Sequence, residues 1–259
     1  MLPLQDIGIL VTRPRHQAEP LCRLLQAQGA DTYRFPAIEI LPAEDRRALA
    51  GAHPELADYG LIIFASANAV RFGAALLGQR RDLTLAAIGP ATAHALNQAG
   101  YRVSVQSAGG FDSESLLRHP QLNAVAGSRI LIVKGNDGRD FLERELARRG
   151  ARVSLAEVYR RECSRPGAEE IERLEQRFAA GKLHVITATS LDIAANLLAL
   201  ATPALRRAFD GALWLAPGAR IAEGLRERGV NGELLVARSA ADQDLVSAVV
   251  GWRAGESGA

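Results

Sequence analysis

The sequence predicts an α/β protein built as two similar lobes, each a parallel sheet covered by helices. Three observations carry this. Short apolar runs alternate with amphipathic stretches along the chain, the pattern of strands crossing over through helices. The stretch from Ile9 to Ile40 has a twin 121 residues later: Ile9 meets Ile130, Leu21 meets Leu142, Leu25 meets Leu146, and Gly29-Ala30 meets Gly150-Ala151. Each copy then ends in a second extended run.

The elements follow in order. Ile7–Thr12 is a short apolar run that suits a strand buried on both faces, stopped by Arg13-Pro14, and a helix runs on to about Gln28, closed by Gly29. Phe35–Pro42 is extended and bracketed by prolines, which suits an edge strand or a connector. Glu44–Leu56 reads as a polar helix. Strand Asp58–Ala65 leads through Ser66-Ala67-Asn68 into a capped helix. Strand Leu85–Ile88 runs into Gly89-Pro90-Ala91-Thr92 and a short helix, strand Tyr101–Gln106 follows, and Asp112-Ser113 opens another helix. Strand Ile130–Val133, a helix ending at Gly150 and the extended Leu155–Cys163 complete the second copy. Beyond Pro166 come an amphipathic helix with Ile171, Leu174 and Phe178 on one face, strand His184–Ala188, a helix capped by Ser190, strand Ala212–Leu215 with its helix, and strand Leu234–Ala237 with a last helix. The tail Gly255–Ala259 is expected to be disordered.

If both extended runs are connectors, the chain leaves lobe one and later returns. Residues 1–34 and 164–259 then form lobe one, 44–154 an inserted lobe two, and 35–43 with 155–163 the connecting strands. Two such strands side by side make a hinge, and a hinge makes a cleft.

Composition narrows the function. Hydrophobic residues are 48% and charged residues 23%, ordinary for a globular protein, and a net charge of +2 supplies no bulk field for nucleic acid or a membrane surface. No leader or spanning segment is evident, and Cys22 and Cys163 lack ligand spacing, so a cytoplasmic protein is expected. His16, His53, His94, His119 and His184 are scattered, and no metal site is expected.

Ligands of parallel α/β sheets bind beyond the carboxyl ends of the strands. Those ends are Thr12 and Arg13; Ser66 and Asn68; Gly89 and Thr92; Lys134, Gly135 and Asn136; Thr189 and Ser190; and the turn Ala216-Pro217-Gly218 before Arg220. They are small, hydroxylic or cationic, and several begin helices, where free N–H groups suit anions. Ser66 and Ser190 equally suit plain capping, and Gly135-Asn136-Asp137-Gly138 a plain turn. Arg13 and Lys134 hold matching places in the two copies. Arg144, Arg148, Arg149, Arg160 and Arg161 read as solvated faces. Tyr159, in the returning connector, would place a phenol able to donate a proton.

The pattern resembles the uroporphyrinogen-III synthase family. The resemblance rests on ILVTRPRHQAEPLCRLLQAQGA, FPAIEI, DYGLIIFASANAV, AAIGPATAHAL, DSESLL, ILIVKGNDGRDFLERELARRGA, VYRREC, VITATS and RIAEGLRERGV, in the family's order over nearly the whole chain. It implies two flavodoxin-like lobes joined by a two-stranded β-ladder, with the active site in the gap. It implies a small-molecule substrate, the linear octacarboxylate tetrapyrrole hydroxymethylbilane, no cofactor, and a monomer with at most transient contact with the preceding pathway enzyme. The family's connector Tyr falls on Tyr159, and its Thr after the Ile-Gly-Pro turn on Thr92. Two departures stand out: Ala216-Pro217-Gly218-Ala219 replaces a Ser- or Thr-bearing turn, and His184 replaces an Asp. A non-catalytic two-lobed binder of an anionic small molecule is the competing expectation.

Overall fold

In the computed structural model, residues 2–44, 56–107, 112–138 and 140–255 are described. The polar helix expected over Glu44–Leu56 lies almost wholly outside them, and so does the tail after Gly255. The chain divides into two compact units, residues 1–39 with 162–259, and residues 40–161.

The first unit holds a five-stranded parallel sheet. Its strands are β1 (Gly8–Val11), β2 (Asp31–Arg34), β9 (Val185–Thr187), β10 (Leu213–Pro217) and β11 (Leu234–Ala237), in the order β11-β10-β9-β1-β2. β1, an inner strand between β9 and β2, is buried on both faces, as its unbroken apolar run requires. Ile9 and Val11 pack with Leu21, Cys22 and Leu25 of helix Arg15–Ala27 and with Leu245 and Val249 of helix Asp242–Arg253. Cys22 is a buried free thiol and Cys163 an exposed one. His184 accepts the N–H of Gly8 on Nδ1 (2.9 Å), while its own backbone N–H donates to the Gly8 carbonyl (2.8 Å).

The second sheet has six strands: β3 (Ile38–Pro42), β4 (Leu61–Phe64), β5 (Leu85–Ala87), β6 (Val105–Gln106), β7 (Arg129–Gly135) and β8 (Arg152–Cys163), in the order β3-β8-β7-β4-β5-β6. Side chains alternate across a strand. Ile62, Phe64, Leu131 and Val133 therefore enter one core, and Leu61, Ile63, Ile130 and Ile132 the other. β3 lies at the edge, as Pro36 before it and Pro42 at its end predict. Ala43 N–H donates to the Val158 carbonyl and Ser164 N–H to the Ala37 carbonyl, so β3 and β8 run antiparallel.

Three elements differ from expectation. β2 is a full strand paired with β1 over Asp31–Arg34, where only the later Phe35–Pro42 run reads as extended. β8 is longer than the expected connector: from Arg152 to Tyr159 it pairs in parallel with β7, because Ala156, Val158 and Tyr159 have a core to enter. Helix Pro203–Asp210, unpredicted, starts at a Thr202 cap that accepts the Leu205 N–H (3.2 Å).

Arg149 is not a solvated side chain. Its guanidinium donates to the carbonyls of Leu117 and Leu122 (2.9 Å each) and to Glu145 (2.9 Å), pinning the end of its helix to the ends of helix Ser113–Leu117 and of the short turn Pro120–Leu122. Glu145, bonded by Arg148 and Arg149, is held down to about 2. No helix among the described residues is long and apolar enough to cross a membrane.

Gly8 sets how closely the chain approaches β1. A Cβ there would stand 1.7 Å from the Lys182 carbonyl oxygen, a backbone atom that cannot rotate aside. Gly8→Ala is expected to lower stability by about 1–3 kcal/mol, the usual range for overpacking; an unchanged urea midpoint would contradict this.

Candidate functional site

The second unit places four of its expected residues around one cavity of about 320 Å3 at the carboxyl ends of β4 and β7. Ser66, Lys134, Gly135 and Tyr159 line it. A shallower depression of about 500 Å3, lined by Gly89 and Thr92, shares Ala65, Ser66 and Ile88 with it.

Tyr159 reaches the cavity through a register shift. β7 and β8 pair residue for residue up to Lys134 and Glu157, and then Gly135 lies opposite Tyr159. The shift between Lys134 and Gly135 turns the Tyr159 ring onto the Gly135 backbone. Bulges often re-aim a side chain in this way beside a functional site. A Cβ on Gly135 would sit 2.5 Å from both Cε2 and Cζ of that ring, so glycine is a steric requirement at this position. Asn136 locks the arrangement: its N–H donates to the Tyr159 carbonyl (3.0 Å), and its Oδ1 accepts the Arg161 N–H (3.0 Å). The ring is 6% exposed, packs in the core with Val133 and Val158, and meets Phe72 at 6.0 Å between centroids. Expected on an open connector, Tyr159 is instead a core ring whose hydroxyl lies 3.2 Å from Ser66 Oγ.

Ser66 caps helix Ala67–Gly73, accepting the Ala69 N–H at 3.0 Å, so it both caps and lines the cavity. Asn68 and Thr92 are buried in the first turns of their helices. Lys134 is half-buried at the cavity wall.

Sequence reasoning missed other wall residues. Asp112, Asp137, Asp140, Glu143 and Arg161 also line the cavity, so its charge is mixed rather than cationic. Asp112 accepts the Ser115 N–H (2.8 Å), and its contacts with Ser115 hold its carboxyl below the usual range. Asp140 pairs with Arg144 at 3.2 Å. The Gly135–Gly138 turn signal marked this region, but spacing alone could not show which of its side chains face inward.

The first unit treats its expected residues differently. Thr12 is fully buried and bonds Thr187: its N–H donates to Thr187 Oγ1 (3.2 Å) and its hydroxyl to the Thr187 carbonyl. The Arg13 guanidinium pairs with Asp242, donates to the Ala240 carbonyl (2.8 Å) and reaches Thr189 Oγ1 (3.4 Å). It ties the end of β1 to the start of the last helix instead of lining a cavity as Lys134 does. Ser190 caps helix Leu191–Leu200 through the Ile193 N–H (3.2 Å), and Arg220 is exposed on the first turn of helix Ala219–Glu227. Among the described residues, no cluster of His, Cys, Asp and Glu could hold a metal ion.

Two outcomes follow from these contacts. Arg13→Ala leaves Asp242 without its partner and is expected to destabilise the fold by about 1–3 kcal/mol, read from urea unfolding; a neutral change would mean the contact contributes nothing. Gly135→Ala is expected to cost a similar ~1–3 kcal/mol through overpacking. In a Tyr159→Ala background the same substitution should cost much less, and equal costs in both backgrounds would remove the clash as the cause.

Comparisons with known proteins converge on one family. The sequence model described as uroporphyrinogen-III synthase HemD matches residues 19–247. The chain is 36% identical over 187 residues to the uroporphyrinogen-III synthase of Salmonella typhimurium and 35% identical over 178 residues to that of Escherichia coli. Each match covers 66% of this chain and 72% of the relative. Two solved structures share the fold. One is a uroporphyrinogen-III synthetase from Helicobacter pylori, with a TM-score of 0.59 and 14% identity over 95% of this chain and 99% of that one. The other is a mutant uroporphyrinogen III synthase from Thermus thermophilus, with a TM-score of 0.57 and 24% identity over 96% of this chain and 98% of that one. With a family match over most of its length and two relatives above 30% identity, this chain belongs to the uroporphyrinogen-III synthase family.

Proposed function

We propose that the protein is a uroporphyrinogen-III synthase. It cyclises hydroxymethylbilane to uroporphyrinogen III, with loss of water and inversion of the terminal pyrrole ring, in tetrapyrrole biosynthesis. Family membership supports the reaction class. The observation that carries the site is the Tyr159 hydroxyl, held 3.2 Å from Ser66 on the wall of a cavity at the strand ends.

In this reading the two units are flavodoxin-like lobes joined by β3 and β8, and the protein works as a cytoplasmic monomer without a cofactor. Tyr159 donates its proton to the departing hydroxyl of the substrate, so that water leaves and an azafulvenium cation forms. The terminal pyrrole then attacks at its already substituted carbon, giving a spiro intermediate that reopens and closes with that ring turned over. The bare cation closes head to tail without inversion, so the protein's main task is to hold the chain in the inverting shape. Such positioning can lower a barrier by about 7–11 kcal/mol at its best. Lys134 and the backbone N–H groups at the helix starts suit the substrate's carboxylates. The acidic residues of the wall suit the cation that develops beside them, since preorganised opposite charge stabilises charge that appears only during reaction.

Incubation with freshly generated hydroxymethylbilane, oxidation and separation of the isomers tests the reading. Isomer III above the protein-free control is expected, and isomer I alone would leave a binder of anionic tetrapyrroles. Tyr159→Phe should slow formation of isomer III by about 10²-fold, the low end for a general acid, without abolishing it; a wild-type rate would remove Tyr159 from the chemistry. Lys134→Ala should raise KM about tenfold with little effect on kcat, the loss of roughly one charge-assisted hydrogen bond. A fall in kcat at constant KM would instead give Lys134 a role in the reaction step.

A further inference from the structure

The geometry points to Ser66 as a positioning residue that sets the direction of the Tyr159 proton. Ser66 donates to Tyr159, so the phenol accepts on the protein side and turns its own O–H into the cavity. This deepens the reading of Tyr159 as proton donor and rests on it.

The argument begins with what a serine hydroxyl can do. It has one proton and two lone pairs. One lone pair of Ser66 Oγ is taken by the Ala69 N–H at 3.0 Å, the capping bond of helix Ala67–Gly73. The second contact, to Tyr159 Oη at 3.2 Å, can run either way by distance alone. If Tyr159 donated, two donors would converge on one oxygen and weaken each other. If Ser66 donates, the bonds run head to tail, from Ala69 N–H to Ser66 O–H to Tyr159 O–H, and each polarises the next. Tyr159 lines the cavity, so in the second arrangement its proton stays free for a group bound there.

The surroundings leave the hydroxyl little freedom to find another partner. The ring is clamped against the Gly135 backbone, where even a methyl group would collide, and by Phe72 on another side. A ring held this way can change its proton's direction only by rotating the O–H bond. Ser66 therefore controls whether that proton faces the substrate, without touching the reacting atoms itself.

Three variants separate this role from capping. Ser66→Ala removes both functions. Ser66→Asp keeps a capping oxygen for the Ala69 N–H but, when ionised, cannot donate and would draw the phenol proton away from the cavity. Ser66→Thr keeps the hydroxyl. In the hydroxymethylbilane assay, Ser66→Ala and Ser66→Asp are both expected to lower kcat about tenfold or more at nearly constant KM, with Ser66→Thr restoring most of the loss. Ser66→Asp turning over as fast as wild type would overturn the proposal, since a cap alone would then suffice. Neutron diffraction from deuterated wild-type crystals decides the direction independently of activity. A deuteron bonded to Ser66 Oγ and lying toward Tyr159 Oη is the expected result, and one bonded to Tyr159 and pointing at Ser66 overturns it. If the wild-type protein made no isomer III, the reaction assignment would fail while the neutron map still decided the hydrogen bond.

Discussion

The pairing of β7 with β8 is the constraint on which the rest of the site depends. The two strands pair in parallel, and their register is set by which side chains enter the core, until Lys134 and Gly135 break it. That one irregularity places Tyr159 opposite a residue with no side chain. The ring then drops onto the backbone and becomes part of the core while the residue still lines the cavity. A phenol on a free connector would have to be ordered by the substrate; this one is ordered by folding.

The same strand explains why Tyr159 both packs in the core and reaches the cavity. β8 begins as a strand of the second sheet, passes Tyr159, and continues beside β3 as it leaves the unit. Asn136 bonds its backbone on both sides of Arg160, through the Tyr159 carbonyl and the Arg161 N–H. The turn that follows β7 thus holds β8 in place as well as lining the cavity through Asp137 and Gly138.

Much of this architecture was legible in the sequence. Unbroken apolar runs gave β1, β4 and β7, and the prolines of 35–42 gave an edge strand. Ser66 and Ser190 were visible as caps, and both cap. β2 was not legible, because its residues Asp31–Arg34 are only half-buried or exposed and show no apolar run. Helix Pro203–Asp210 carries a Thr-Pro start, a cap followed by proline at the first helical position, but is too short to show a clear apolar periodicity. Arg13 and Lys134 are equivalent in the internal repeat. Equal position in a repeat fixes the backbone, not the neighbours: Asp242 and the Ala240 carbonyl lie within reach of Arg13, and its charge is spent inside the fold. The acidic side of the cavity was equally hidden, since Asp112 and Glu143 come from separate elements that only the sheet order brings together.

The most direct test of the account is whether a bound tetrapyrrole is felt at Tyr159. The chain has four tyrosines, so labelling with [13Cζ]tyrosine gives a spectrum simple enough to assign with a Tyr159→Phe variant. Anaerobic titration with uroporphyrinogen III should move the Tyr159 resonance most, as its hydroxyl meets the ligand. Saturable binding that shifts Tyr33, Tyr59 or Tyr101 and leaves Tyr159 in place would contradict the site described for the second unit.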